Sequence, residues 1–178
     1  MLKCRKGGVA LAVALVALGA MAAVASAAQL VGDEGDNTLI GTDGPDYILG
    51  HQGNDLLRGK AGRDLIRGGK GNDTEHGGKG SDVMFAGPGV DTLYGGPGSD
   101  TMFARARGDV AEEGVDTVHG GPGDDTIFVR DGEADAVNCG SGFDTVFADP
   151  TDVVAADCEQ VHVAAPRPHE DAAEDIAP

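Results

Sequence analysis

GGKGNDTEH (Gly68–His76), GGKGSDVMF (Gly77–Phe85), AGPGVDTLY (Ala86–Tyr94) and GGPGSDTMF (Gly95–Phe103) follow one another without a gap. They are one nine-residue phrase written four times. Upstream the same phase runs back through GKAGRDLIR, GHQGNDLLR, GTDGPDYIL and GDEGDNTLI, so the unbroken block begins at Gly32. Downstream, seven residues (Ala104–Val110) interrupt it before AEEGVDTVH and GGPGDDTIF resume the phase at Ala111–Phe128. Val129 is spare, RDGEADAVN is a degenerate unit, and CGSGFDTVF closes the series at Cys139–Phe147. A fixed period of this kind marks a solenoid, in which each unit buries its apolar face only against its neighbours.

The columns state what each position requires. The fourth residue is Gly in eleven of twelve units, the sixth is Asp in eleven with Asn37 the exception, and the eighth is apolar in eleven with Glu75 the exception. Glycines at the first, second and fourth positions permit the positive-φ conformations of a tight turn. Residues seven to nine, such as Thr92-Leu93-Tyr94, are β-prone and alternate, which predicts three-residue strands with the eighth side chain inward. Strands so short need identical neighbours above and below. Turn, strand, turn, strand makes a coil of 18 residues. The sixth-position Asp offers a hard oxygen of the type calcium takes, beside turn carbonyls.

The pattern GGxGxDxUx, with U apolar, closely resembles the hemolysin-type calcium-binding, or RTX, repeat, and GGKGNDTEH, GGKGSDVMF, GGPGSDTMF and GGPGDDTIF carry it best. The resemblance spans Gly32–Phe147 and implies an all-β fold, a right-handed parallel β-roll with calcium between turns stacked on the same side. The implied ligands are Asp46, Asp55, Asp64, Asp73, Asp82, Asp91, Asp100, Asp116, Asp125 and Asp144. Turn carbonyls join them, at Gly69, Gly71, Gly78, Gly80, Gly87, Gly89, Gly96, Gly98, Gly121 and Gly123. Eight unbroken units give six stacked turn pairs, so up to about six calcium ions are expected there. Asn37 and the non-glycine second positions His51 and Lys60 weaken the early sites, which leaves Gly68–Phe103 as the strongest block.

The composition fits this reading. The 178 residues carry 13 Lys+Arg against 30 Asp+Glu, with 30 Gly, no Trp and 4% aromatics. So acidic a chain has no basic footprint for nucleic acid. A coil lined by single Leu, Ile, Met and Val side chains has little room for aromatic rings. Met1–Ala28 has a basic start (Lys3, Arg5, Lys6), an apolar run Val9–Val24 and the small-residue end Ala25-Ser26-Ala27. That is the layout of a secretory signal peptide, cleaved after Ala27 or Ala28. Its removal leaves 10 basic and 30 acidic residues, a net charge of −20. The expected organisation is a signal peptide at 1–28, a calcium-binding roll with its cap at 29–163, and a disordered acidic tail at 164–178. The processed chain is expected to be secreted and extracellular, a monomer, and not an integral membrane protein.

Cys139 and Cys158 lie 19 residues apart, close to one coil. Neighbouring coils sit about 4.8 Å apart, within disulfide reach, so a bond would staple the last unit to a C-terminal cap, DPTDVVAADCEQVHV. Glu75 is expected to turn outward at a local bulge, because an unpaired buried charge is costly; an extra ligand or an ion pair is the alternative. Phe85, Tyr94, Phe103, Phe128 and Phe147 all hold the ninth position and are expected to stack in ladders along the sheets. Arg58, Lys60, Arg63, Arg67, Lys70 and Lys79 read as a solvated basic face. Arg107-Gly108-Asp109 in the interruption reads as an extruded loop.

No H-E-x-x-H or G-x-S-x-G occurs, and the repeats occupy nearly all of the expected mature length, so no enzyme is expected. The expected function is a calcium binder that folds on taking up its ions. The alternative is a calcium-rigidified surface protein that adheres to cells or glycans.

Overall fold

A computed structural model describes residues 26–104 and 114–166. The chain forms fifteen strands and, among the described residues, no helix. In order they are β1 (Gln29–Val31), β2 (Thr38–Ile40), β3 (Tyr47–Gln52), β4 (Leu56–Ala61), β5 (Leu65–Lys70), β6 (Thr74–Lys79) and β7 (Val83–Phe85). There follow β8 (Thr92–Tyr94), β9 (Thr101–Phe103), β10 (Thr117–Pro122), β11 (Thr126–Phe128), β12 (Ala136–Ser141), β13 (Thr145–Ala148), β14 (Val153–Val154) and β15 (Gln160–Val163). The odd-numbered strands form one sheet of eight and the even-numbered strands a second of seven. Every pairing is parallel. The architecture is a β-solenoid with a coil of about 18 residues.

The register follows the nonapeptide. Ile48 pairs with Ile66, Ile66 with Met84, and Met84 with Met102, each one coil apart. Across the interruption the offset rises to 25, as Leu93 pairs with Val118 and Met102 with Ile127. Past Val129 it becomes 19. The strands on either side of each insertion therefore stay stacked in register. Several strands are longer than the three residues expected: β3 to β6 continue through the first turn positions, because those positions also pair with the next coil.

Eighth-position side chains fill the interior. Ile48, Leu57, Ile66, Met84, Leu93, Met102, Val118, Ile127 and Val146 are fully buried. Burying each such side chain contributes about 1.5–3 kcal/mol. Ninth-position rings stack outside, with Phe85, Phe103, Phe128, Phe147 and His162 forming one ladder at centroid spacings of 4.7–5.0 Å. His76, Tyr94 and His119 form a second on the other sheet. The guanidinium carbon of Arg67 lies 5.0 Å from the Phe85 ring centre, so part of the basic face packs on the ladder. Cys139 and Cys158 are bonded with Cα atoms 5.3 Å apart, which ties β12 to the cap.

Two expectations are corrected. Glu75 does not turn outward: it is fully buried, and β6 runs without a bulge, with Glu75 paired to Leu57 on one side and Leu93 on the other. The in-register ladder on both flanks holds its side chain inward. Ala104 does not belong to the interruption: it is buried, and its N–H donates to the carbonyl of Phe128 at 3.0 Å, as Ala86 donates to Phe103. The extra residues thus fall between Ala104 and Gly114 in the sequence. Arg107-Gly108-Asp109, the signal segment through Ala25 and the tail from Arg167 lie outside the described residues.

Candidate metal centre

The sixth-position side chains form two columns, one on each side of the coil. Asn37, Asp55, Asp73, Asp91, Asp116 and Asp135 make the first, and Asp46, Asp64, Asp82, Asp100, Asp125 and Asp144 the second. All are buried. From Asp55 and Asp64 onward, each Oδ1 accepts from the backbone N–H of the residue one coil earlier in its column. Asp55 accepts from the N–H of its predecessor Asn37 at 2.7 Å, Asp73 from Asp55 at 2.8 Å and Asp91 from Asp73 at 2.7 Å. In the second column Asp82 accepts from Asp64 and Asp100 from Asp82, both at 2.8 Å. The insertions do not break the rows, since Asp116 accepts from Asp91 and Asp125 from Asp100 at 2.8 Å. At the C-terminal end Asp152 and Glu159 complete them, taking the N–H groups of Asp135 and Asp144.

The second oxygen is different. Oδ2 of Asp55, Asp64, Asp73, Asp82, Asp91, Asp100, Asp125, Asp135 and Asp144 is buried with no hydrogen-bond partner. A buried acceptor left in that state costs about 1–3 kcal/mol, more when charged, and here it recurs at the same place in coil after coil. The position of each atom is set by the first turn residue. A Cβ on Gly59 would collide with Oδ2 of Asp64 and lie 2.5 Å from the carbonyl oxygen of Gly77 in the next coil. From the opposite direction, the carbonyl oxygens of Lys60 and Gly62 would collide with a Cβ on Gly78 and on Gly80. Oxygens therefore face the gap between turns from both coils.

Among the described residues no three His, Cys, Asp or Glu side chains converge as a metal-binding group. An ion in these turns would take a carboxylate oxygen and complete its shell with main-chain carbonyls. An all-oxygen set with few charges suits calcium and disfavours metals that prefer imidazole or thiolate.

Electrostatics sharpen the case. Burial lifts Asp64 to about 6, and Asp73, Asp91, Asp100 and Asp125 to about 7, against the opposing effect of the N–H bond each Oδ1 accepts. Burial raises Asp135 to about 8 and Asp116 to about 9. Asp55, Asp82 and Asp144 move upward for the same first reason. Glu75 is held well above the ordinary carboxyl range by burial, with Asp91 and Asp73 adding to the effect. Such groups suit a divalent cation that replaces the proton.

The residues chosen from the sequence do not all share one environment. Asp46 and Asp116 stand outside the row of buried unpartnered Oδ2 atoms; in Asp46, Oδ1 accepts from the N–H of Ala28 at 2.6 Å and Oδ2 from the N–H of Thr42 at 2.6 Å. Asp135 was absent from the sequence-based ligand set although it holds the sixth position of RDGEADAVN; the regular column was the available signal. Glu75 was visible as the odd residue in the eighth column, but its orientation was not. His51 and Lys60 take φ of 90° and 83°, the left-handed turn conformation that Gly69 and Gly78 adopt later.

The model of the RTX calcium-binding nonapeptide repeat matches this chain in four copies, at residues 31–66, 49–84, 67–102 and 110–146. No curated protein and no solved structure matches the chain.

Proposed function

This chain belongs to the RTX calcium-binding nonapeptide-repeat family, and from that premise we propose that it is an exported protein that binds several calcium ions between its stacked turns and folds on binding them. The observation that carries this reading is the repeated buried Oδ2 without a partner. With no ion, two columns of carboxylates repel one another and lose hydration. With calcium, the same atoms become ligands. Binding and folding then share one free energy.

Export is supported by the layout of Met1–Ala28. The contacts of Ala28 favour cleavage after Ala27: its N–H donates to Asp46 and its carbonyl accepts from Tyr47 at 2.9 Å. Cleavage there would set a charged amine on the Asp46 carboxylate. Low cytosolic calcium would keep the chain unfolded until it reaches a calcium-rich exterior. Among the described residues no helix is long and apolar enough to cross a membrane. We assign no catalytic role, and read the molecule as a monomer whose partners are calcium ions.

A circular dichroism titration tests the proposal. The metal-free protein should show little β signal and gain it cooperatively by millimolar calcium. A β spectrum that is unchanged by chelator or calcium would defeat it.

A further inference from the structure

Eleven of the twelve eighth-position residues are apolar, and the twelfth is Glu75. It is fully buried in an unbroken ladder between Leu57 and Leu93, and neither Oε1 nor Oε2 makes a well-formed hydrogen bond, the backbone N–H of Gly68 being the one donor close enough to favour its charge. An isolated charge in such a place costs several kcal/mol unless something meets it. Its surroundings say what could. A Cβ built on Gly68 would lie 2.8 Å from Oε1 of Glu75 and 2.8 Å from the carbonyl oxygen of Ala86, and would collide with Oδ2 of Asp73. The same construction on Gly59 or Gly77 meets one carboxylate and one carbonyl. Among the described glycines, Gly68 alone has a second side-chain carboxyl joining them.

Three oxygens from three residues thus surround one small space at the Gly68–Ala86 turn pair, and two of them are buried carboxyl oxygens without a well-formed hydrogen bond. Calcium takes six to eight oxygens and binds more tightly as charged ligands are added. We propose that Glu75 is a calcium ligand supplied from inside the coil, a second carboxylate that closes the site between the Gly68 and Ala86 turns beside Asp73. This deepens the reading of the Asp columns and rests on it. The extra charge makes this the tightest site in the stack and the first to fill. Because it lies between β5 and β8, away from both ends, the ordered coil can extend from it in either direction.

The test compares the protein with Glu75→Leu, which restores the apolar residue of the other units, and Glu75→Gln, which keeps the shape without the charge. Calcium uptake is followed by calorimetry, and europium(III) luminescence lifetimes count the waters on the first ion bound. The expected result is a first binding event weakened about tenfold or more in both variants, as loss of a charged ligand implies. The first europium ion should also gain water in Glu75→Leu, while that variant reaches the parent β signal at saturating calcium. Should Glu75→Leu fail to fold, Glu75→Gln supplies the same comparison. An unchanged first affinity and an unchanged lifetime would overturn the assignment and leave Glu75 a buried neutral acid. Absence of calcium uptake by the parent protein would instead overturn the reading of the Asp columns, and this assignment with it.

Discussion

The first two turns and those that follow have nearly the same repeat but handle their oxygens differently. Asn37 and Asp46 are answered from within the chain. The N–H of Asp33 donates to Oδ1 of Asn37 at 2.7 Å, Asn37 returns its amide to the Asp33 carboxylate at 3.1 Å, and both oxygens of Asp46 accept backbone N–H groups. Thr42 and Asp33 also close their own turns through side-chain bonds to Gly44 and Gly35. From Asp55 onward the second carboxylate oxygen is mostly left without a protein partner. The first turns behave as a cap that satisfies itself, and the later ones as sites that need something added.

The second turn position differs in parallel. His51 and Lys60 hold positive φ without being glycine, whereas their successors Gly69 and Gly78 are glycine. The turn shape alone does not demand glycine, since His and Lys adopt it at a cost of about 1–3 kcal/mol. The coil in front does. The carbonyl oxygen of Lys60 blocks the place of a Cβ on Gly78, and that of His51 the place of one on Gly69. In front of His51 and Lys60 stand Asp33 and Thr42, which do not take the positive-φ turn.

The largest expected effect concerns protons. In the metal-free fold Asp64 titrates near 6, Asp73, Asp91, Asp100 and Asp125 near 7, Asp135 near 8 and Asp116 near 9. These folded-state values lie above the unfolded one of about 3.9. Their contribution to stability is therefore complete below about pH 4 and disappears as pH rises through 6 to 9. In chelator, lowering the pH from 9 to 5 should increase β signal and amide protection, most strongly in the coils from Leu65 onward. Uniform protection across the stack, or loss of β signal over that range, would erase the distinction between cap and sites.

Gly78→Lys comes next, because it places in a later turn the residue that Lys60 carries in an earlier one. Positive φ and the collision with the Lys60 carbonyl together should cost roughly 3 kcal/mol or more, read as a lower urea midpoint in saturating calcium. A loss under about 1 kcal/mol would mean that the coil in front does not select glycine. The smallest effect is expected of the reverse change, Lys60→Gly. Relief of the left-handed strain should raise stability by about 1 kcal/mol, visible as a small upward shift of the same midpoint.

Much of this was legible in the sequence because the repeat is strict. Period, coil length and the buried eighth column follow from phase, parallel stacking from the resemblance that the phase carries, and the 19-residue spacing placed Cys139 beside Cys158. What was not legible depends on neighbours one coil away. Whether Asp46 keeps a free oxygen is decided by Thr42 and Ala28. Whether Glu75 faces in or out is decided by the ladder to Leu57 and Leu93, and its unpaired charge pointed the wrong way. Ala104 could not be separated from the insertion until its pairing with Phe128 placed it in the coil.

The central claim is that the buried, unpartnered Oδ2 atoms mark the calcium sites. Anomalous X-ray scattering from crystals grown in calcium tests it most directly. The account predicts peaks between turns beside Oδ2 of Asp73, Asp82 and Asp91, and none beside Asn37. Crystals whose turns hold no ions, or whose calcium lies only on the exposed outer faces, would contradict it.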